Sequence, residues 1–229
     1  MKTSDIEVSY IRHCGDDLAV VNAARVSFHK ESEWAPGEDI DTDTGAAYEK
    51  YMYPSDEKLI NYLARNKHFS PFNHSFITLH VKAPIFVARQ LVKHKFMPWN
   101  EVSRRYVDDE PEFYIPKDWR KKAENVKQGS SDELVNNSNI YPEQAVEKAL
   151  MEYQNMLSEG VAAEMARIIL PQNMMTEWWW SGTLGAYCDM LRLRLDPHTQ
   201  FESRIVANKV KEIIQPLFPV SLNALLEVK

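Results

Sequence analysis

The segment Arg89 to Tyr106, RQLVKHKFMPWNEVSRRY, gathers groups that bind anions. It holds six basic residues (Arg89, Lys93, His94, Lys95, Arg104, Arg105) against one carboxylate, Glu101, in a chain of net charge −6. That local excess is a candidate anion site. Lys93, His94 and Lys95 are consecutive near an expected helix end, so they fan out in three directions. One phosphate cannot meet all three, but different parts of an extended ligand can. Met97-Pro98-Trp99 should break the helix, leaving Asn100 to Ser103 in a loop or turn. Ser103 and the N–H groups after it can cradle a phosphate, with Arg104 or Arg105 supplying bidentate contacts. On composition alone the alternative is a solvated basic face balancing acidic loops.

A second segment, Ala166 to Arg204, carries Arg167 on what reads as a mostly apolar helix ending at Pro171. A desolvated guanidinium there needs a carboxylate or an anionic ligand. Trp178, Trp179 and Trp180 read as core or subunit contact. Arg192 and Arg194 are two apart on an expected helix, so only one readily enters a given pocket. His198 reads as a capping or buried, hydrogen-bonded imidazole. The two cysteines, Cys14 and Cys188, have neither metal-ligand spacing nor a nucleophile motif, and read as ordinary thiols.

Helices must position most of these groups. Ser55 is the expected cap of a helix carrying Leu59, Ile60 and Leu63. Pro84 and Pro142 each open another. Further helices are expected through Ala162–Ile169, Leu184–Leu195 and Pro197–Gln215. Ile77, Leu79 and Val81 alternate with polar residues as in a half-buried strand, and Ile6–Ile11 and Phe113–Ile115 are weaker strand candidates. The class is α+β, with helices in the majority. The 229 residues are read as one domain with surface loops at 31–47 and 121–139. Asp39, Asp41 and Asp43 resemble a calcium loop, but Thr44 and Lys50 stand where Gly and Glu are needed, so no metal is expected. With 44% hydrophobic and 26% charged residues the composition is that of a globular protein. No apolar run approaches the roughly 18 residues of a membrane span, and the first residues lack a signal-peptide core. A soluble, cytoplasmic protein is expected. The acidic balance argues against general nucleic-acid binding.

Taken together, these motifs resemble the flavin-dependent thymidylate synthases. The family signature is Arg-His-Arg, seven residues, then Ser; here Lys93-His94-Lys95, Phe96 to Val102 and Ser103 reproduce its spacing with both arginines changed to lysine. HVKAPIFVARQ, NEVSRRY and EFYIP surround it. AARVSF and HFSPFNH upstream, and ARIILP and LRLRLDPHTQFESR downstream, follow in order from about residue 20 to 220.

The resemblance implies helices packed around a small, mostly antiparallel sheet. It implies methylation of dUMP at C5 to dTMP, using methylenetetrahydrofolate, FAD and NADPH, by a homotetramer with shared sites. By position it makes Gln90, Glu101, Ser103, Arg104, Arg105, Arg167 and Arg194 the nucleotide set. Ser27, His68, Ser70, Lys93, His94, Lys95 and Glu101 become the flavin set. Arg194 would stabilise negative charge on the uracil as C5 becomes nucleophilic. Thr183, Gly185 and Asp189 depart from the family's Asn, Arg and Asn, which puts the flavin in question. Folate-dependent C5 hydroxymethylation of dUMP or dCMP without flavin is therefore a second expectation. A non-enzymatic nucleotide or single-strand binder using Trp99 and Tyr106 is a third.

Overall fold

Strand β8 (Met175–Thr183) shows how the sequence sets the architecture. Successive side chains on a strand face opposite ways, so Trp178 and Trp180 are buried while Trp179 is exposed on the other face. β8 lies between β3 (Phe76–Pro84) and the three-residue β4 (Trp99–Glu101), with β2 (Glu7–Cys14) beyond β3. All three pairings in this four-stranded sheet are antiparallel. Leu79 sits opposite Trp180 and Val81 opposite Trp178, so the inner face is continuous. Trp99 stacks on Trp178 with ring centroids 4.2 Å apart. On the outer face Thr78 meets Ser181 at 3.1 Å and His80 meets Glu177 at 3.0 Å. The structure, a computed structural model, describes residues 1–36, 51–124, 129–136 and 139–228. Residues 37–47 of the acidic 31–47 loop, with its three alternating aspartates, lie outside them.

Helices cover the inner face. They are α1 (Asp17–Arg25), α2 (Pro54–Arg65), α3 (Ile85–Leu91), α4 (Pro142–Ser158), α5 (Ala163–Ala166), α6 (Leu184–Arg194), α7 (Phe201–Ile214) and α8 (Pro219–Glu227). Leu184, Leu191, Val206, Val210, Phe218 and Leu222 close on the tryptophans to form the main core. A second cluster joins Val146, Leu150 and Tyr153 of α4 to Phe113, Ala166 and Met174. Minor ladders are β1 (Lys2–Thr3) with β5 (Glu112–Phe113), parallel, and β6 (Arg120–Lys122) with β7 (Ser130–Leu134), antiparallel. Among the described residues no helix is long and apolar enough to cross a membrane, and no cluster has the ligands for a metal ion.

Several expectations are corrected. Pro54 occupies the first turn of α2 and Tyr53, not Ser55, is its N-cap residue. The polar stretch read as a loop at 121–139 is mostly the β6–β7 ladder in its described part, because polar residues with both faces exposed carry no alternation signal. Asn100 and Glu101, expected in a turn, pair with β8 as an edge strand. α1 and α8 went unread.

Two carboxylates fasten these unread elements. Asp17 is buried and accepts the N–H groups of Val220 and Ser221 at 2.8 and 2.9 Å, capping the start of α8 from α1. Burial raises its pKa against those hydrogen bonds. Asp56, in the first turn of α2, pairs with Arg25 at the end of α1 and accepts Ser32 Oγ at 3.1 Å.

Candidate active site

After α3 ends at Leu91, a turn points His94 inward and leaves Lys93 and Lys95 exposed. The next residue, Phe96, has φ +61° and is 84% exposed, so the chain reverses there. Buried Met97 and strand β4 follow. Arg194 closes α6. Its Nε donates to His94 Nε2 at 2.9 Å and its Nη2 to the Gln90 carbonyl at 3.2 Å. Burial, and after it the Arg194 charge, pushes His94 down from 6.5 to about 4. A neutral imidazole is what accepts a guanidinium N–H. Burial also lowers Arg194 from its ordinary value. Arg192 takes another face, as its spacing requires: it pairs with Asp189 and lies over the Phe69 ring at 5.9 Å.

The depressed His94 makes a pH prediction. Below about pH 6.5 the unfolded chain binds a proton that the folded chain refuses until about pH 4. Stability should therefore fall as pH drops across that window. Urea melts from pH 7 to 4.5 should show a shallower fall in His94→Gln, and parallel curves for the two proteins would refute the assignment.

The other candidate anion-site residues lie on and around β4. Glu101 accepts Thr176 Oγ1 at 2.7 Å and Trp99 Nε1 at 3.0 Å. Glu101, Arg104, Arg167 and Thr176 line a cleft of about 610 Å³ with an apolar wall that includes Met156, Met165 and Ile168. Arg104 is held by Asp109 at 2.8 Å. Arg105 lies over Tyr106 and its Nε donates to Ser103 Oγ at 3.2 Å. Arg167 is not the desolvated residue of an apolar helix. α5 has four residues, and Arg167 opens the exposed 3₁₀ turn Arg167–Ile169, its Nε on the Glu164 carbonyl at 3.2 Å. Its charge faces solvent at the cleft. Among the described residues no hydrogen bond joins the Arg194 group to the Arg104–Arg167 group. His198 is exposed and sits on Asp196, so it is not a buried imidazole.

Ser27 lies in the 3₁₀ turn Val26–Phe28 after α1, and His68 and Ser70 flank the start of another, Ser70–Asn73. All three are exposed polar groups. The three departures from the family pattern find local partners. Thr183 caps α6 and donates to Asn73 Oδ1 at 2.7 Å. A Cβ on Gly185 would stand 2.5 Å from that Oδ1, so Asn73 fills the space a longer residue would enter. Asp189 is neutralised by Arg192. With Lys93 and Lys95 as exposed cations, this surface still suits an anionic, hydrogen-bonding group.

Cys188 is fully buried, and burial raises its thiol to about 12. A thiol so protonated is no nucleophile at neutral pH. Cys188→Ala is expected to keep turnover within about twofold while costing about 1 kcal/mol of stability; complete loss in a folded variant would point to a covalent cysteine mechanism.

Sequence reasoning missed Thr176, Ser203, Arg120, and the roles of Gln200 and Glu202. Gln200 and Ser203 bond the Gln90 side chain from 110 and 113 positions away, and Glu202 reaches it through Gln200; no local pattern reports that.

The family described as thymidylate synthase complementing protein matches residues 9–220. A flavin-dependent thymidylate synthase of Thermus thermophilus is 39% identical over 215 residues, covering 93% of this chain and 73% of that protein. One from Kosmotoga olearia is 36% identical over 233 residues, covering 99% and 94%. The crystal structure of a UMP/dUMP methylase, PolB from Streptomyces cacaoi, bound with 5-Br dUMP, is 31% identical. It aligns with a TM-score of 0.81 over 100% of this chain and 98% of its own.

Proposed function

The chain belongs to the flavin-dependent thymidylate synthase family, and from that premise we propose that it converts dUMP to dTMP. Methylenetetrahydrofolate is the one-carbon donor and NADPH the reductant. The observation that carries the reading is the guanidinium of Arg194, half-buried and aimed by neutral His94 and the Gln90 carbonyl. A cation so fixed, facing the uracil edge, stabilises the negative charge that develops as C5 attacks the one-carbon unit. It needs no adduct from Cys188.

Arg104, Arg105, Arg167 and Ser103 are the phosphate-binding candidates, with Gln90 and Glu101 on the nucleoside. Ser27, His68, Ser70, Lys93 and Lys95 are the flavin contacts, with His94 and Glu101 at the boundary. These residues would hold FAD, which when bound and reduced would supply the hydride needed to complete the methyl group. Lysines at 93 and 95 contribute charge without a planar fork. The reading includes one domain over 1–229 and a cytoplasmic homotetramer with shared sites. Exposed Met165 and Ile168 at the cleft support a covering second copy.

Flavin-free hydroxymethylation of dUMP or dCMP draws on Thr183, Gly185 and Asp189. The Asp189–Arg192 pair weakens it by removing a bare negative charge from the flavin side. Product analysis with dUMP and methylenetetrahydrofolate decides between them. dTMP formed only with FAD and NADPH is the expected result. A 5-hydroxymethyl product that needs neither would replace the proposal.

A further inference from the structure

Gln90 is a proposed nucleotide ligand, and an amide side chain presents a donor on one edge and an acceptor on the other. Something must fix which edge faces the site. The Gln90 side chain meets Gln200, which meets Glu202, which meets Arg120. Glu202 is nearly buried, and its two oxygens are divided: Oε1 accepts Arg120 Nη2 at 3.1 Å and Oε2 accepts Gln200 Nε2 at 3.1 Å. Arg120 is itself anchored, its Nε on Ser130 Oγ at 2.9 Å and its guanidinium 3.7 Å over the Phe201 ring.

A carboxylate paired with a guanidinium only accepts. The Gln200 edge facing Glu202 must therefore be its NH₂, and its carbonyl must face Gln90. Gln90 in turn must offer its NH₂ to Gln200, leaving its oxygen to accept Ser203 Oγ at 3.1 Å. The Ser203 hydroxyl can donate or accept, so it follows this order without setting it. We propose that Glu202, held by Arg120 on β6, is a positioning residue that fixes the polarity of the Gln90 amide through Gln200. Gln90 then has one N–H and one lone pair free in a single arrangement for a pyrimidine nucleotide. This rests on the dUMP-binding role given to Gln90 above.

Glu202→Gln preserves shape, but its oxygen must still face the donor-only Arg120, so its NH₂ turns to Gln200 and the chain of amides is driven to the opposite polarity. The expected result is a dUMP dissociation constant raised about tenfold, a cost close to that of one hydrogen bond, with kcat at saturating dUMP changed far less. A cycle with Gln90→Ala separates relay from general damage. If Glu202 acts through Gln90, E202Q should add less than about twofold in the Gln90→Ala background. Gln200→Met, which keeps volume and breaks the chain, should behave alike and serves if E202Q does not fold. Effects that multiply in the double variant, or unchanged dUMP affinity in both E202Q and Gln200→Met, would overturn the relay. A wild-type protein that binds no dUMP would overturn the functional reading beneath it.

Discussion

Arg194→Ala should lower turnover by about three orders of magnitude, the scale of losing a preorganised charge-stabilising donor. The loss has two parts. The cation proposed to face the uracil disappears, and His94 loses the N–H that its Nε2 accepts at 2.9 Å. Lysine cannot repair either, because it lacks the Nε and the fork that reach His94 and Gln90 together. Arg194→Lys should therefore stay within about tenfold of the alanine variant. Single-turnover measurement of dTMP formation at saturating dUMP reads the chemical step, and equilibrium titration reads the smaller loss of binding. Near-native turnover in Arg194→Ala would remove Arg194 as activator.

The largest stability loss is expected from Asp56→Ala. Asp56 is 1% exposed and satisfies both Arg25 and Ser32. Removing it leaves a guanidinium behind α1 with no counter-charge, a defect that costs about 3–5 kcal/mol. For a chain of this size that corresponds to a drop in Tm of about 10 °C, compared at fixed protein concentration because association also stabilises. Arg25 already has a buried Nε without a partner, so the site tolerates little more. Replacing both residues, Arg25→Met with Asp56→Leu, should recover part of the loss, because no charge then remains buried. A single-variant cost below about 1 kcal/mol would mean that water reaches Arg25. Since Ser27 follows Arg25 by two residues, the same substitution should also weaken FAD binding.

The helical scaffold was legible in the sequence wherever an apolar stripe met a proline, as at Pro84 and Pro142. Strand β8 stayed hidden. Three tryptophans in a row look like one aromatic patch, and only pairing with β3 shows that Trp179 faces away from its neighbours. Arg192 and Arg194 were separable by helical spacing alone, and the structure sends them to Asp189 and His94 respectively. Arg167 misled because apolar neighbours suggested a longer, buried helix, whereas the helix gives way to a 3₁₀ turn before Pro171 that buries Ala166 but leaves Arg167, Met165 and Ile168 exposed. The Gln90 network could not be read, since its partners are brought together by α3 packing on α7.

The cap that Asp17 places on α8 spans more than 200 positions of chain. During synthesis Asp17 is made early, and its hydrogen-bond donors emerge only when Val220 and Ser221 leave the ribosome. Until then its carboxylate can stay hydrated only if the surroundings of α1 stay open, because burying it alone is costly. The first helix of the main core is thus the one that cannot close until the last has arrived. Stalling translation before residue 219 should trap a nascent chain whose α1 exchanges its amide hydrogens freely, with apolar residues Val20 and Val21 accessible to chaperones.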